Sequence, residues 1–494
     1  MRRKIRVLFA ASEAEPFIKT GGLGDVGGSL PKALKAAGCE VRVMLPKYGT
    51  IAEKYQDKMT HVADFNVELG WRNLYCGVEK LVHEGVTFYF LDNEYYFKRE
   101  KAYGYFDDGE RMAFLSKAIV ESLQYLPDFA CDVLHLNDWH TALAAVFLRE
   151  LYQGNPMYEN IKTVFTVHNL KFQGQFSGFV LGDVLGLGGI PAAEHQLGNG
   201  YGTINYMKGA LLYSDILTTV SPTYAGEVQS EFYGEQMENI FRDRQSILYG
   251  ILNGIDVDKY DPTKDETLPV KFSADDLSGK AECKAALQRE LGLEENPDLP
   301  LAVMIGRLTE QKGMDLVDRV LDEILEEPIQ IAVLGTGDKK YEEMLEACAE
   351  RHPGKFAARI LFDAALSQRM YSGADMLIMP SLFEPCGLAQ MIAMRYGTLP
   401  IVRETGGLRD SVIPYNRFTG EGTGFGFCNY NAHEMKDTIL EAAELYREDK
   451  AAWTKLCQNA MNADFSWDRS AEKYMEIYHK LHPEITPWKK RVTK

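Results

Sequence analysis

What this 494-residue chain lacks bounds it before anything it contains. Its eight cysteines, at positions 39, 76, 131, 283, 348, 386, 428 and 457, include no C-x-x-C pair, which argues against both a disulfide framework and a zinc site. No apolar run approaches the length of a membrane span. The opening "MRRKIRVLFAASEAEP" passes from a short apolar stretch straight into acids, too short for a secretory signal, so the cytoplasm is the expected compartment and no membrane partner is expected. Cationic excess is also missing. With 54 Lys and Arg against 71 Asp and Glu the formal charge is -17, which sets nucleic acid aside as a partner but leaves room for a local cationic pocket around a phosphate. Internal repeats and low-complexity segments are absent.

What is present is a globular chain, 46% apolar and too long for one ordinary core, so two or three domains are expected. Short β-branched runs recur: "IRVLFAA" at 5–11, "VTFYFLD" at 86–92, "VLHLND" at 133–138, "KTVFTVHN" at 162–169 and "ILTTVSP" at 216–222. Helical patterns such as "ERMAFLSKAIVESLQYL" and "HTALAAVFLRELY" alternate with them, which predicts α/β architecture with a mainly parallel sheet covered on both faces. The pattern pauses between about 256 and 298 in a stretch rich in Asp, Lys, Glu and Pro, where a domain boundary near residue 260 is expected. Strand runs then resume as "LAVMIG", "IQIAVLG", "RILF", "DMLIMPS" and "TLPIV", predicting a second α/β sheet. In "FSWDRSAEKYMEIYHKLHPE" a final helix places Ala471, Tyr474, Tyr478 and Leu481 on one stripe.

The stretch "KTGGLGDVGGSL" contains G-x-G-x-x-G at Gly22, Gly24 and Gly27. That dinucleotide fingerprint works only as a tight turn directly off a strand, and here "SEAEPFIK" intervenes. The next strand ends in Pro46 and Lys47 rather than in an acid for a ribose, so NAD is not the expected ligand. What remains is a flexible glycine loop with Lys19 at its entrance, able to bring backbone N–H groups and a point charge to an anion. The plain alternative is a glycine turn with a solvated lysine.

Other informative residues fall at predicted strand ends, where open sheets bind ligands. "HLNDWH" puts Asp138, Trp139 and His140 at one, and "FTVHNLKFQGQF" puts His168 and Asn169 at another; together they resemble a sugar site, although Asp138 alone could equally be a helix N-cap. His135 and His140 have no accompanying acid or cysteine group to make a metal site. "IGRLTEQKGMDL" places Arg307 and Lys312 before a helix, which is what a diphosphate leaving group needs when no metal is bound; pairing with local acids such as Glu310 is the competing role. "PSLFEPCGLAQMIAMRYG" puts Glu384 on a turn, with N–H groups around Cys386, Gly387 and Leu388 opening the next helix.

The blocks "KTGGLGDV", "NDWH", "VHNLKFQG", "SPTYAGEV", "ILNGID", "GRLTEQKG", "PSLFEPCGL" and "YGTLPIVRETGGL", in this order across nearly the whole chain, resemble the bacterial glycogen synthase and plant starch synthase family. The resemblance implies the GT-B fold, two Rossmann-like α/β domains facing across a cleft that closes over the substrate. It implies an N-terminal domain of 1–260 joined by the C-terminal helix 465–494, and a nucleotide-sugar domain of 261–464. It further implies retaining transfer of glucose from ADP-glucose to the non-reducing end of an α-1,4-glucan such as glycogen, with no cofactor and no metal. Carried onto matching positions, Lys19, Gly21 and Gly22 form the donor loop, Arg307 and Lys312 neutralise the diphosphate, and Glu384 serves the donor glucose beside Cys386, Gly387 and Leu388. Asp138, His168, Asn169 and Asn253 lie around the glucosyl group and acceptor end, with Trp139 among them. Phe362 stands where some relatives carry a tyrosine packed on the adenine. One departure is "EFYGEQMENIFRDRQ", 231–245, where many relatives carry a glycine-rich G-x-G-L-D-G segment. Rival readings are a UDP-glucose or small-acceptor transferase, a glucan phosphorylase, and a silent glucan-binding homologue; the last would lack Glu384, Arg307 or Lys312.

Overall fold

A computed structural model describes residues 3–200 and 202–485. By its internal contacts the chain separates into two compact units, one running to Gly254 and taking up the chain again from Trp467, the other spanning Ile255–Ser466. Residues 486–494, the end of the expected C-terminal segment, lie outside the described residues.

The first unit is built on β1 (Arg6–Ala10), β2 (Glu40–Pro46), β3 (Thr60–Leu69), β4 (Arg72–His83), β5 (Val86–Asp92), β6 (Val133–Asn137), β7 (Lys162–Val167), β10 (Ile216–Thr219) and β11 (Leu248–Gly250), with β8 (Gln175–Ser177) and β9 (Thr203–Asn205) as a separate antiparallel pair. The nine strands run in the order β11-β10-β7-β6-β1-β2-β5-β4-β3. β6 is buried at every position and β1 at all but its first, as continuous apolar runs in a doubly covered parallel sheet should be. The antiparallel β3 and β4 at the edge went unread in the sequence, because their alternation of buried and exposed residues lacks the apolar runs used to find the others.

The helix Trp467–Leu481 belongs to this unit. Its stripe of Ala471, Tyr474 and Tyr478 is buried, packed where the sequence pattern put it, and it lies against the helix Gly22–Ala36. Tyr478 Oη is 2.7 Å from His135 Nδ1, and His135 Nε2 is 2.7 Å from Thr166 Oγ1, so this histidine is a core group and burial pushes its pKa down to about 3.

The second unit has six parallel strands: β12 (Leu301–Ile305), β13 (Gln330–Leu334), β14 (Phe356–Arg359), β15 (Met376–Met379), β16 (Leu399–Arg403) and β17 (Phe425–Phe427). Their order, β14-β13-β12-β15-β16-β17, reverses direction between β12 and β15. That is the doubly wound arrangement, and the reversal opens a crevice at the strand C-termini. The strand expected at "RILF" begins three residues earlier, at Phe356, and ends where that run begins. In the first unit the corresponding reversal lies between β1 and β6. No helix among the described residues is long and apolar enough to cross a membrane.

Candidate active site

In the second unit the residues singled out from sequence, all but Phe362, follow β12 and β15, the two strands that flank the reversal. The loop after β12 is tied down on both sides of Arg307: Gly306 N–H donates to Leu334 O at 3.0 Å, and Leu308 N–H to Thr336 O at 3.0 Å. Arg307 itself is exposed, and its side chain makes no ion pair among the described residues. A 3-10 turn, Glu310–Lys312, then leads through Gly313 into the helix Met314–Glu326. Gly313 has a φ of +78°, and a Cβ there would stand 2.3 Å from Pro380 O, so only glycine lets this turn lie against the end of β15. Leu382 N–H donates to Gln311 O at 2.9 Å and completes the contact. The buried Arg403, from the end of β16, donates through Nε to Ser381 O at 2.8 Å and fixes the turn from below.

The consequence is a direct pair. Lys312 Nζ lies 2.6 Å from Glu384 Oε2, which also accepts from Ser381 Oγ at 3.1 Å, and Glu384 is 6% exposed. The acid expected to compete for Lys312, Glu310, makes no side-chain ion pair among the described residues, and its backbone carbonyl accepts from the Gly313 N–H and the Tyr430 hydroxyl. Cys386, Gly387 and Leu388 precede the helix Ala389–Arg395, with Gln390 Nε2 donating to the carbonyls of Cys386 at 3.1 Å and Gly387 at 2.9 Å. Phe362, three residues past the end of β14, is 91% exposed.

In the first unit the switch-point residues are more deeply set. Asp138 heads the helix Trp139–Leu151 with a φ of +56°, but its carboxylate does not cap that helix. It turns to β7 and accepts the His168 N–H at 2.7 Å. Burial pushes its pKa up to about 7 against the pull of the His168 and Asn169 amides, and the nearby Glu13 charge raises it further. Burial holds His168 down to about 3, hence neutral. Its tautomer can be assigned. Asn137 Nδ2 donates to Ala10 O at 3.0 Å, which leaves Asn137 Oδ1 to accept from His168 Nε2 at 2.9 Å, so Nδ1 carries the lone pair. Asn169 turns its Oδ1 to the Lys171 N–H at 3.1 Å, while Asn253 is buried with its Oδ1 unpaired among the described residues. Trp139 is half-buried, its ring 5.9 Å from Phe176, under the loop that carries Gly174.

The glycine loop follows β1. Lys19 Nζ is 2.6 Å from Asp25 Oδ1 and 3.3 Å from Glu15 Oε2. Gly22 begins the helix Gly22–Ala36, with Gly21 at its N-cap. The fingerprint glycine Gly27 is explained by packing: a Cβ there would lie 2.4 Å from Glu13 O, so it brings the helix onto the loop rather than turning the chain off the strand. Glu13 was missed in the sequence. It is 3% exposed and accepts from Thr20 N–H at 2.5 Å, Gly21 N–H at 3.2 Å, Thr20 Oγ1 at 2.6 Å and the Tyr103 hydroxyl. Its only signal was an acid inside the polar stretch "SEAEP" just past the strand. Elsewhere among the described residues, Asp322, Cys348 and His352 bring three metal-capable atoms together, but Arg351 already pairs both Asp322 oxygens at 3.0 Å.

Comparison with known proteins bears on both units. The chain matches the family model of the starch synthase catalytic domain over residues 6–243 and that of glycosyl transferases group 1 over residues 290–458. It is 51% identical over 477 residues to the glycogen synthase of Clostridium novyi, covering 97% of this chain and 99% of that relative. Its identity to the glycogen synthase of Bacillus anthracis is 50%, covering 97% and 100%. Among solved structures, the catalytic domain of starch synthase IV from Arabidopsis thaliana, bound to ADP and acarbose, matches with a TM-score of 0.88 and 33% identity over 97% of this chain and 99% of that one. A sucrose-phosphate synthase from Thermosynechococcus elongatus, at 18% identity and a TM-score of 0.57 over 97% of this chain and 100% of that one, shares the fold.

Proposed function

Because this chain belongs to the glycogen and starch synthase family, glycosyltransferases of the GT-B fold, we propose that it transfers glucose, with retention, from ADP-glucose to the non-reducing end of an α-1,4-glucan and needs no metal ion to do so. The observation that carries this reading is the pairing of Lys312 with the buried Glu384 at the β12/β15 switch point, on the same loop as the exposed Arg307. A nucleotide sugar is a diphosphate ester whose leaving group gains negative charge as the anomeric carbon gains positive charge. Arg307, and the Lys312 protons not given to Glu384, hold that growing charge, and Lys19 with the helix amides at Gly22 adds to it. Glu384 keeps Lys312 in place and sets a carboxylate near the donor glucose.

In this mechanism the bond between the anomeric carbon and the diphosphate oxygen breaks, and the acceptor hydroxyl oxygen bonds the same face. Its proton passes to the departing ADP. A covalent glycosyl-enzyme would need a free carboxylate. At the strand ends of the first unit, Glu13 and Asp138 are engaged with backbone amides, which favours front-face attack within an ion pair. Neutral His168, with its lone pair on Nδ1, accepts a hydrogen bond from a sugar hydroxyl, and Asn169, Asn253 and Trp139 complete the sugar and acceptor surroundings. Cys386, Gly387 and Leu388 flank the donor sugar, and Phe362 stacks on the adenine.

The test is ADP release with glycogen in the presence of EDTA, run beside UDP release from UDP-glucose. Release from ADP-glucose alone supports the proposal. Release from UDP-glucose alone moves the donor assignment, and release that requires added metal overturns the charge-neutralising roles.

A further inference from the structure

We propose that Glu13 is the positioning residue of the donor loop, a buried carboxylate that fixes which amides of the glycine stretch remain open to the diphosphate. The inference rests on the assignment of residues 19–22 to that loop. Glu13 stands three residues past β1, and both faces of it are held. Its carbonyl lies under Gly27 of the following helix, at a separation that leaves no room for a side chain there. Its side chain reaches the opposite way: one oxygen takes the N–H groups of Thr20 and Gly21, and the other takes the Thr20 and Tyr103 hydroxyls.

Every one of these partners is a donor, and a carboxylate is an acceptor only, so the site is satisfied without a cation. The Tyr103 hydroxyl is itself 3.1 Å from Ser12 Oγ, and its ring lies 4.6 Å from that of His140, which ties the brace to the start of the Asp138 helix. Two things follow. The Gly21 amide, which the sequence alone offered to the phosphates, is already bonded to Glu13. The amides next in line, Gly22 and Leu23, open the helix Gly22–Ala36 and have no carbonyl behind them, so these are the ones presented to the diphosphate.

Loss of Glu13 therefore loosens the donor loop directly and reaches the acceptor surroundings at one remove, through Tyr103 and His140. For Glu13→Ala the expected result is a rise of about tenfold in KM for ADP-glucose and in the Kd of ADP itself, corresponding to the loss of one to two net hydrogen bonds. KM for glycogen should rise by less than that for ADP-glucose, because Glu13 bonds the donor loop directly and meets the acceptor side through the Tyr103–His140 ring contact. Glu13→Gln keeps the shape and an accepting oxygen and should recover most of the ADP affinity. Tyr103→Phe removes one donor and should have a smaller effect that disappears in the Glu13→Ala background. If Glu13→Ala fails to fold, Thr20→Val and Tyr103→Phe carry the same test. ADP affinity unchanged in these variants, or KM for glycogen raised as much as that for ADP-glucose, would overturn the assignment. A wild-type protein that binds no ADP and transfers no glucose from ADP-glucose defeats instead the functional reading on which it stands.

Discussion

Asp138 is held by the fold at a cost to stability. It is a non-glycine residue in the left-handed region, 9% exposed, with a carboxyl pushed up to about 7 chiefly by burial. The sign of the linkage is fixed by that upward shift. Well below the ordinary value of 3.8 the group is protonated both folded and unfolded; as pH rises through 3.8 toward 7 the unfolded chain gives up its proton first, so stability falls across that window and the full cost is present above it. Asp138→Asn should raise the unfolding free energy at pH 8 by on the order of 2–4 kcal/mol, with most of the gain gone by pH 4, while glucosyl transfer drops. Chemical denaturation at the two pH values checks this, and a variant no more stable than wild type at pH 8 contradicts it. The sequence made Asp138 visible as a strand-end acid, but its choice of the His168 amide over its own helix was not legible there. That choice depends on a φ of +56°, which no local pattern announces. The 231–245 departure has a similar mark: Glu235 and Gln236 follow one another at φ of +47° and +69°, so side chains occupy a conformation that glycine adopts without cost.

At the scale of elements, the doubly wound order explains why residues 72 positions apart, Lys312 and Glu384, meet. Runs of apolar residues were enough to read β12, β13, β15 and β16 and to place their C-terminal loops together. The short β11 and β17 were not readable, each being three residues long. The turn that seats Lys312 depends on Gly313. Gly313→Ala combines a strained φ with a clash against Pro380 O, and should cost about 1–3 kcal/mol in stability and a larger share in activity as Lys312 moves off Glu384. Unfolding midpoints and turnover measured on one preparation test this; full activity in a destabilised protein would break the link between the turn and the lysine.

At the scale of the whole molecule, the order of units along the chain is not the order of cores. The first unit closes only when the chain returns at Trp467, burying Trp467, Tyr474 and Tyr478 against elements laid down more than 300 residues earlier, as the His135–Tyr478 bond records. Truncation after Ser466 should therefore lower hydrogen-exchange protection in β1, β6 and the helix Gly22–Ala36 and leave β12–β16 protected. Equal loss in both units would contradict the assignment of that helix. The helical stripe was legible from its spacing, whereas its destination was not, because an apolar stripe specifies burial without naming a partner.

The proposed chemistry turns on whether Lys312, held by Glu384, neutralises a departing diphosphate. The measurement that meets this most directly is the rate of ADP release from ADP-glucose and glycogen in EDTA by folded Lys312→Ala beside wild type. Loss of one preorganised charge at the leaving group predicts a barrier higher by about 3 kcal/mol, a fall of roughly a hundredfold in turnover. Unchanged turnover in the variant would contradict the account.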